Sequence, residues 1–179
     1  MSKGVAGSAV LLVVVALLIL RPWEGDPDAG PAAAGAVVER VVDGDTIEAR
    51  IGGEVEDVRL IGVDTPETVK PGAPVECFGP QASGFAKRLL EGRRVRLVFG
   101  AERRDHYGRL LAYAYLPPGA PATASAGSAG PLFVNAILVR RGLARTLTIP
   151  PNDRYAPLLR RLELGAGRAG RGLWGACPP

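Results

Sequence analysis

From Val37 onward, stretches with an apolar residue at every second position give way to stretches with apolar residues three and four apart. Val37-Val38-Glu39-Arg40-Val41-Val42 is rich in β-branched residues and reads as a strand, ended by the turn Asp43-Gly44-Asp45. Thr46 to Ile51 alternates, with Ile47, Ala49 and Ile51 on one side, as a half-buried strand should. Gly52-Gly53 signals a tight hairpin, and a third strand is expected from about Val55 to Val63, ending at Asp64-Thr65-Pro66. Pro80 to Leu90 places Ala82, Phe85, Ala86, Leu89 and Leu90 at helical spacing, with Gly92 as the stop. Arg94 to Phe99 and Leu110 to Leu116 read as two further strands on either side of the turn Asp105-His106-Tyr107-Gly108-Arg109. Phe133 to Arg141, closed by Gly142, predicts a second helix. Asn152-Asp153 are expected to cap a third, carrying Tyr155, Leu158, Leu159 and Leu162. Five short strands interleaved with about three helices predict an α+β fold, an OB-fold five-stranded β-barrel with helices packed on it.

The N-terminus follows another pattern. Lys3 precedes an apolar run from Val5 to Leu20, interrupted only by Gly7 and Ser8. A positive start followed by a short apolar run is an export signal. Residues 1–22 are therefore read as a signal peptide or an uncleaved membrane anchor. Both place the remainder outside the cytoplasm, secreted or on the outer face of the membrane. Ala34-Gly35-Ala36 offers a small-residue cleavage site, although far from the apolar run. Residues 23–36 read as a Pro/Ala/Gly-rich linker, and 37–179 as the folded domain. Pro117 to Pro131 is a low-complexity loop.

Composition narrows the chemistry. A net charge of +4 with pI near 9.4 suits an anionic partner. Only Cys77 and Cys177 are present, too few for a four-thiolate zinc site. In an oxidising compartment they predict one disulfide tying the tail to the body. The single histidine, His106, excludes a His-rich metal site and is read as an exposed turn residue. No nucleophile-elbow, Walker-type or dinucleotide glycine motif appears.

What remains is acid and arginine at strand ends. Asp43, Asp45, Asp64 and Glu67 sit in two turns that each close an expected strand. Pairing through the Gly52-Gly53 hairpin brings both turns to one rim of the barrel. Clustered carboxylates repel one another, and a hard, oxygen-preferring cation such as Ca²⁺ removes that cost. Arg59, on the strand feeding Asp64, and Arg109, beyond the second turn, could grip a phosphate and its developing charge.

Taken together, three separated motifs resemble the staphylococcal nuclease (thermonuclease) family. They are Val42-Asp43-Gly44-Asp45-Thr46, Arg59-Leu60-Ile61-Gly62-Val63-Asp64-Thr65-Pro66-Glu67-Thr68 and Asp105-His106-Tyr107-Gly108-Arg109-Leu110-Leu111-Ala112-Tyr113. The resemblance covers about Val37 to Trp174. It implies an OB-fold barrel with three helices and a Ca²⁺-dependent nuclease that breaks the P–O5′ bond of DNA and RNA, leaving 3′-phosphates. It also implies that Asp45 and Asp64 are calcium ligands with the Thr65 carbonyl, and that Glu67 acts as general base or positions water. Arg59 and Arg109 would bind the scissile phosphate, assisted by Tyr107. Where secreted relatives stack a base on two tyrosines, this chain has Leu147 and Ile149. Where they place lysines near the nucleotide, it has Cys77 and His106. Weaker or differently specified nucleotide binding is the expectation. The alternatives are a catalytically inactive OB-fold nucleic-acid-binding module and an envelope protein that binds a polysaccharide or protein. No sequence signal suggests an oligomer, so a monomer is expected, touching a membrane only through its N-terminal segment.

Overall fold

Alternating strands have one apolar face to hide, and this chain hides it by rolling the strands into a closed barrel. The computed structural model describes residues 32–68, 72, 74–118 and 130–177. The export segment over 1–22, most of the linker and the body of the 117–131 loop lie outside the described residues. The strands are β1 Ala33–Asp43, β2 Thr46–Ile51, β3 Glu54–Leu60, β4 Gly62–Asp64, β5 Arg94–Arg104, β6 Leu110–Leu116, β7 Leu132–Phe133 and β8 Arg145–Leu147. The helices are α1 Gly79–Leu90, α2 Val134–Arg140, α3 Ala156–Arg168 and the short α4 Leu173–Ala176. Strand order is β3-β2-β1-β5-β6, and parallel pairing of β3 with β6 closes these five into the barrel. Strand β7 extends β6, while β4 and β8 form a separate antiparallel ribbon. This is the α+β OB fold that the pattern of strands and helices predicted.

The interior is filled by Val38, Val41, Ile47, Ala49, Val58, Leu97 and Ala112, all at 2% exposure or less. Helix α1 adds Leu89 and Leu90, and α2 adds Val134 and Leu138, to the same cluster. Each large side chain so buried contributes about 1.5–3 kcal/mol. Lys87 and Arg88 fall in the last turn of α1, where the helix dipole favours cations.

Several boundaries differ from expectation: besides shifts of a residue at some ends, β5 runs on to Arg104, past the expected Phe99, and four differences have a clear cause. Strand β1 begins at Ala33, inside the stretch read as linker, because Ala33 to Val37 pairs with Val98 to Arg94 of β5. Alanine and glycine have little strand propensity, so only the partner strand makes them β. Ala34-Gly35-Ala36 therefore lies within a paired strand. The expected third strand breaks at Ile61 and restarts as β4. Gly62 turns there at φ 79°, and the Leu159 side chain would stand 2.6 Å from any Cβ at that position. Phe133 belongs to β7, and α2 starts one residue later. The third helix starts at Ala156, because Asn152 does not cap it. Its buried amide instead accepts from the Glu102 N–H (3.1 Å) and donates to the Glu102 carbonyl (2.9 Å).

The disulfide forms as expected, with Cys77 and Cys177 Cα atoms 5.8 Å apart, and it fastens the end of α4 to the segment before α1. Among the described residues no helix is long and apolar enough to cross a membrane.

Candidate active site

Barrel closure builds the site. Arg59 pairs with Thr46 across β2–β3 and with Leu111 across the parallel β3–β6 seam. Arg109, two residues before Leu111, therefore shares a face with Arg59 on the neighbouring strand. Asp45 precedes Thr46, so the turn between β1 and β2 reaches the same rim. Its carbonyl accepts the Leu60 N–H at 2.8 Å. Gly44 is required within that turn, because a Cβ there would meet the Thr65 side chain at 2.7 Å.

The result is a cleft of about 290 Å³ lined by Asp45, Arg59, Asp64, Thr65, Glu67 and Arg109, with Asp43 beside them. The structure thus brings together the six residues that the sequence singled out for metal binding and catalysis. Tyr107 does not line it. That side chain is 73% exposed, and its ring centroid lies 5.3 Å from the Arg109 guanidinium carbon, so it stands at the margin.

Arg59 organises the acids. Its Nη1 lies 2.6 Å from Asp45 Oδ2 and its Nη2 lies 2.8 Å from Asp64 Oδ1. A further bond from Nη1 to the Val63 carbonyl (3.0 Å) fixes the guanidinium plane. Asp45 Oδ2 also accepts from the Thr65 N–H (2.6 Å) and hydroxyl (3.0 Å). Burial pushes the Asp64 carboxyl above its ordinary pKa; the Arg59 charge opposes this, and the Asp45 charge adds to it. Burial likewise raises Asp43, against hydrogen bonds from the Gly44 N–H and the Thr68 hydroxyl and with the charges of Asp45 and Glu67.

Several residues that matter to this geometry were not singled out. Asp105 aims Arg109: its Oδ2 lies 2.7 Å from both Nε and Nη2, and its Oδ1 accepts the N–H groups of Tyr107 and Arg109 at 3.0 Å. Burial works against its ionisation, but those bonds outweigh it and hold the carboxyl below its usual range. Glu76 braces the Glu67 backbone, accepting from its N–H (3.1 Å) and donating to its carbonyl (2.9 Å). Fully buried Asn135 donates to the Ile61 carbonyl (2.8 Å) and accepts from the Ala114 N–H (3.0 Å), locking the β3–β4 break to the barrel. Asp105 alone carried a sequence signal, since an aspartate opening a turn commonly bonds the N–H two residues on.

A second cleft of about 310 Å³ adjoins the first and shares Arg59 and Arg109. Leu147, Ile149 and exposed His106 line it. Cys77 is held in the disulfide and does not line it.

Among the described residues, no three His, Cys, Asp or Glu side chains converge on a ready-made metal cage. The donor set on the rim is nonetheless hard oxygen: the carboxylates of Asp45 and Asp64 line the cleft together with Thr65. That composition fits an open site for a cation completed by water or phosphate oxygens.

Fold and cleft together define an OB-fold protein with a carboxylate–arginine site on the barrel rim. The chain belongs to the staphylococcal nuclease family: the model described as "Staphylococcal nuclease homologue" matches residues 57–176. It is 38% identical to the thermonuclease of Staphylococcus intermedius, over 97% of this chain and 99% of that protein. It is 35% identical to the thermonuclease of Staphylococcus hyicus, over 92% and 95%. Endonuclease YncB of Bacillus subtilis is 35% identical over 76% of this chain and 60% of its own.

Proposed function

We propose that this protein is an exported, Ca²⁺-dependent nuclease that hydrolyses phosphodiester bonds of DNA and RNA with little sequence or sugar preference, leaving 3′-phosphates. One observation carries the reading: Arg59 and Arg109 face the same cleft as Asp45, Asp64 and Glu67. Similarity to proteins named as thermonucleases over almost the whole chain supports it.

In this mechanism Asp45, Asp64 and the Thr65 carbonyl would hold the calcium ion, which would supply Lewis-acid charge to the reaction. Arg109, aimed by Asp105, and Arg59 bind the scissile phosphate through guanidinium N–H groups. They strengthen that hold as charge builds on its oxygens. Glu67 takes a proton from the attacking water as the water oxygen bonds to phosphorus, and the P–O5′ bond breaks with its electrons passing to O5′, which takes up a proton from solvent. The N-terminal apolar run is what supports export, as a signal peptide or an anchor on the outer face of the membrane. The protein acts as a monomer.

Purified protein should be incubated with single- and double-stranded DNA and RNA, in calcium and in chelator, beside Arg59→Ala. Cutting that needs calcium and falls by about 10²–10³ in the variant supports the proposal. A folded protein that binds DNA in a salt-sensitive way without cutting would replace it with the binding-module reading.

A further inference from the structure

The β4–β8 ribbon carries a cation that the chemistry above leaves unused. Arg145 is the register partner of Asp64, so its backbone stands across from a carboxylate of the cleft. Its exposed side chain does not turn to that carboxylate. Asp64 is engaged by Arg59, and Arg145 makes no ion pair among the described residues. The carboxylate on the ribbon's other face, Glu163, is held by the Thr146 N–H (2.8 Å) and hydroxyl (2.6 Å). The Arg145 guanidinium lies instead over the Trp174 ring, 4.6 Å from its centroid. Stacking fixes the plane of a guanidinium and leaves its N–H edge facing outward.

The platform is itself anchored. Helix α4 is held at its start by the Leu173 N–H on the Gly142 carbonyl (2.9 Å) and at its end by the Cys77–Cys177 disulfide. Further exposed arginines gather at this junction. Arg171 donates to the Arg140 carbonyl (3.3 Å), and Arg141 lies over Phe85 at 4.9 Å. Alternation along β8 places Arg145 on the side of Leu147, which lines the second cleft with Arg59 and Arg109, while Thr146 turns to α3.

We propose that Arg145, lying over Trp174, forms a second phosphate-binding subsite, apart from that of Arg59 and Arg109. It holds the backbone of a nucleic-acid strand beyond the phosphate that is cut, and exposed Arg171 continues the track. The proposal rests on the nuclease reading for its ligand, although it requires only that a strand binds. A membrane surface fits less well, because interfacial binding needs large apolar side chains beside the cations. Leu147 and Ile149, exposed and apolar on the Arg145 side of the ribbon, both line the cleft.

The test uses the full chain as Arg145→Ala and Arg145→Lys, with a dinucleotide and a single-stranded 20-mer as substrates. In Arg145→Ala, KM for the 20-mer should rise about tenfold, the value of one charge-assisted contact. Its kcat, and both constants for the dinucleotide, should stay unchanged, and Arg145→Lys should recover part of the loss. Binding of a labelled 20-mer in chelator should lose about 0.7 from its log K against log salt slope. An equal loss on both substrates would mean that Arg145 acts through Asp64, and would overturn the proposal. So would an unchanged salt slope, or an Arg145-dependent affinity for anionic lipid vesicles with none for the 20-mer. A parent protein that never cuts, yet shows the Arg145-dependent slope, would sink the nuclease reading and leave the subsite standing.

Discussion

Asp45 accepts two hydrogen bonds from Thr65, from its backbone N–H at 2.6 Å and its hydroxyl at 3.0 Å. This contact joins the β1–β2 turn to the end of β4 and sets the spacing of the cleft carboxylates. The turn comes close enough only because residue 44 is glycine. Its absent Cβ would lie 2.7 Å from Thr65 Cγ2 and 2.9 Å from Thr65 Cβ, and the second of these cannot rotate away. Gly44→Ala should therefore destabilise the protein by about 1–3 kcal/mol, the usual cost of overpacking. By displacing Asp45 it should also lower kcat by about 10²-fold. Denaturant melts and steady-state rates check both. Parent-like values for both would show that the contact does not set the cleft.

Asp43 supplies a pH dependence with a definite sign. Burial, the largest influence, raises its folded pKa above the ordinary 3.8. Between the unfolded and folded values the native state holds more protons, so stability contributed at this site falls as pH rises through that window. Asp43→Asn keeps an oxygen for the Gly44 N–H and the Thr68 hydroxyl but cannot ionise. The variant should gain stability relative to the parent as pH rises from about 4 to 7, with the gain vanishing in acid. Chemical denaturation across that range in chelator is the measurement. A difference that does not vary with pH would refute the assignment.

The barrel, and the meeting of these carboxylates and arginines in one cleft, were legible because both follow from local signals. Alternation from Thr46 to Ile51 and the glycine pair after it fix one hairpin, and that hairpin carries Asp45 towards Asp64. What could not be read depends on partners distant in sequence. Ala33 to Ala36 become strand only against β5, and the break at Ile61 exists because Leu159 and Asn135 arrive from α3 and α2. Asn152 has the chemistry of a helix cap, but the Glu102 backbone, 50 residues away, claims its amide. The β8 strand spans three residues and, among the described residues, pairs with β4 alone, too short a stretch for periodicity to register.

Asp105 predicts a purely positional effect. Its side chain accepts the N–H groups of Tyr107 and Arg109 and orients the Arg109 guanidinium through two contacts of 2.7 Å. Asp105→Asn retains one acceptor and loses the charge. Arg109 should then sample other rotamers and kcat fall about tenfold, less than for Arg109→Ala, where the donor itself is gone at about 10²–10³. A double-mutant cycle separates the roles. Losses that add in Asp105→Asn/Arg109→Ala would mean that Asp105 acts independently of the arginine.

The Cys77–Cys177 bridge closes a loop of 100 positions, which in the chain-entropy model stabilises the fold by about 4–5 kcal/mol. Its position makes the functional outcome specific. Cys77 follows Glu76, whose backbone and side chain both hold the Glu67 backbone. That bracing is made by hydrogen bonds within one segment and does not need the sulfur link. Reduction, or Cys77→Ser with Cys177→Ser, should therefore lower the denaturation midpoint strongly while leaving kcat near the parent value well below that midpoint. Glu76→Ala should do the reverse, with a small change in stability and a clear fall in kcat as the Glu67 N–H loses its side-chain acceptor. Rates at low temperature, measured beside melts of the same samples, decide it. A reduced protein that keeps its midpoint but loses its activity would show that the disulfide, and not Glu76, holds Glu67 in place.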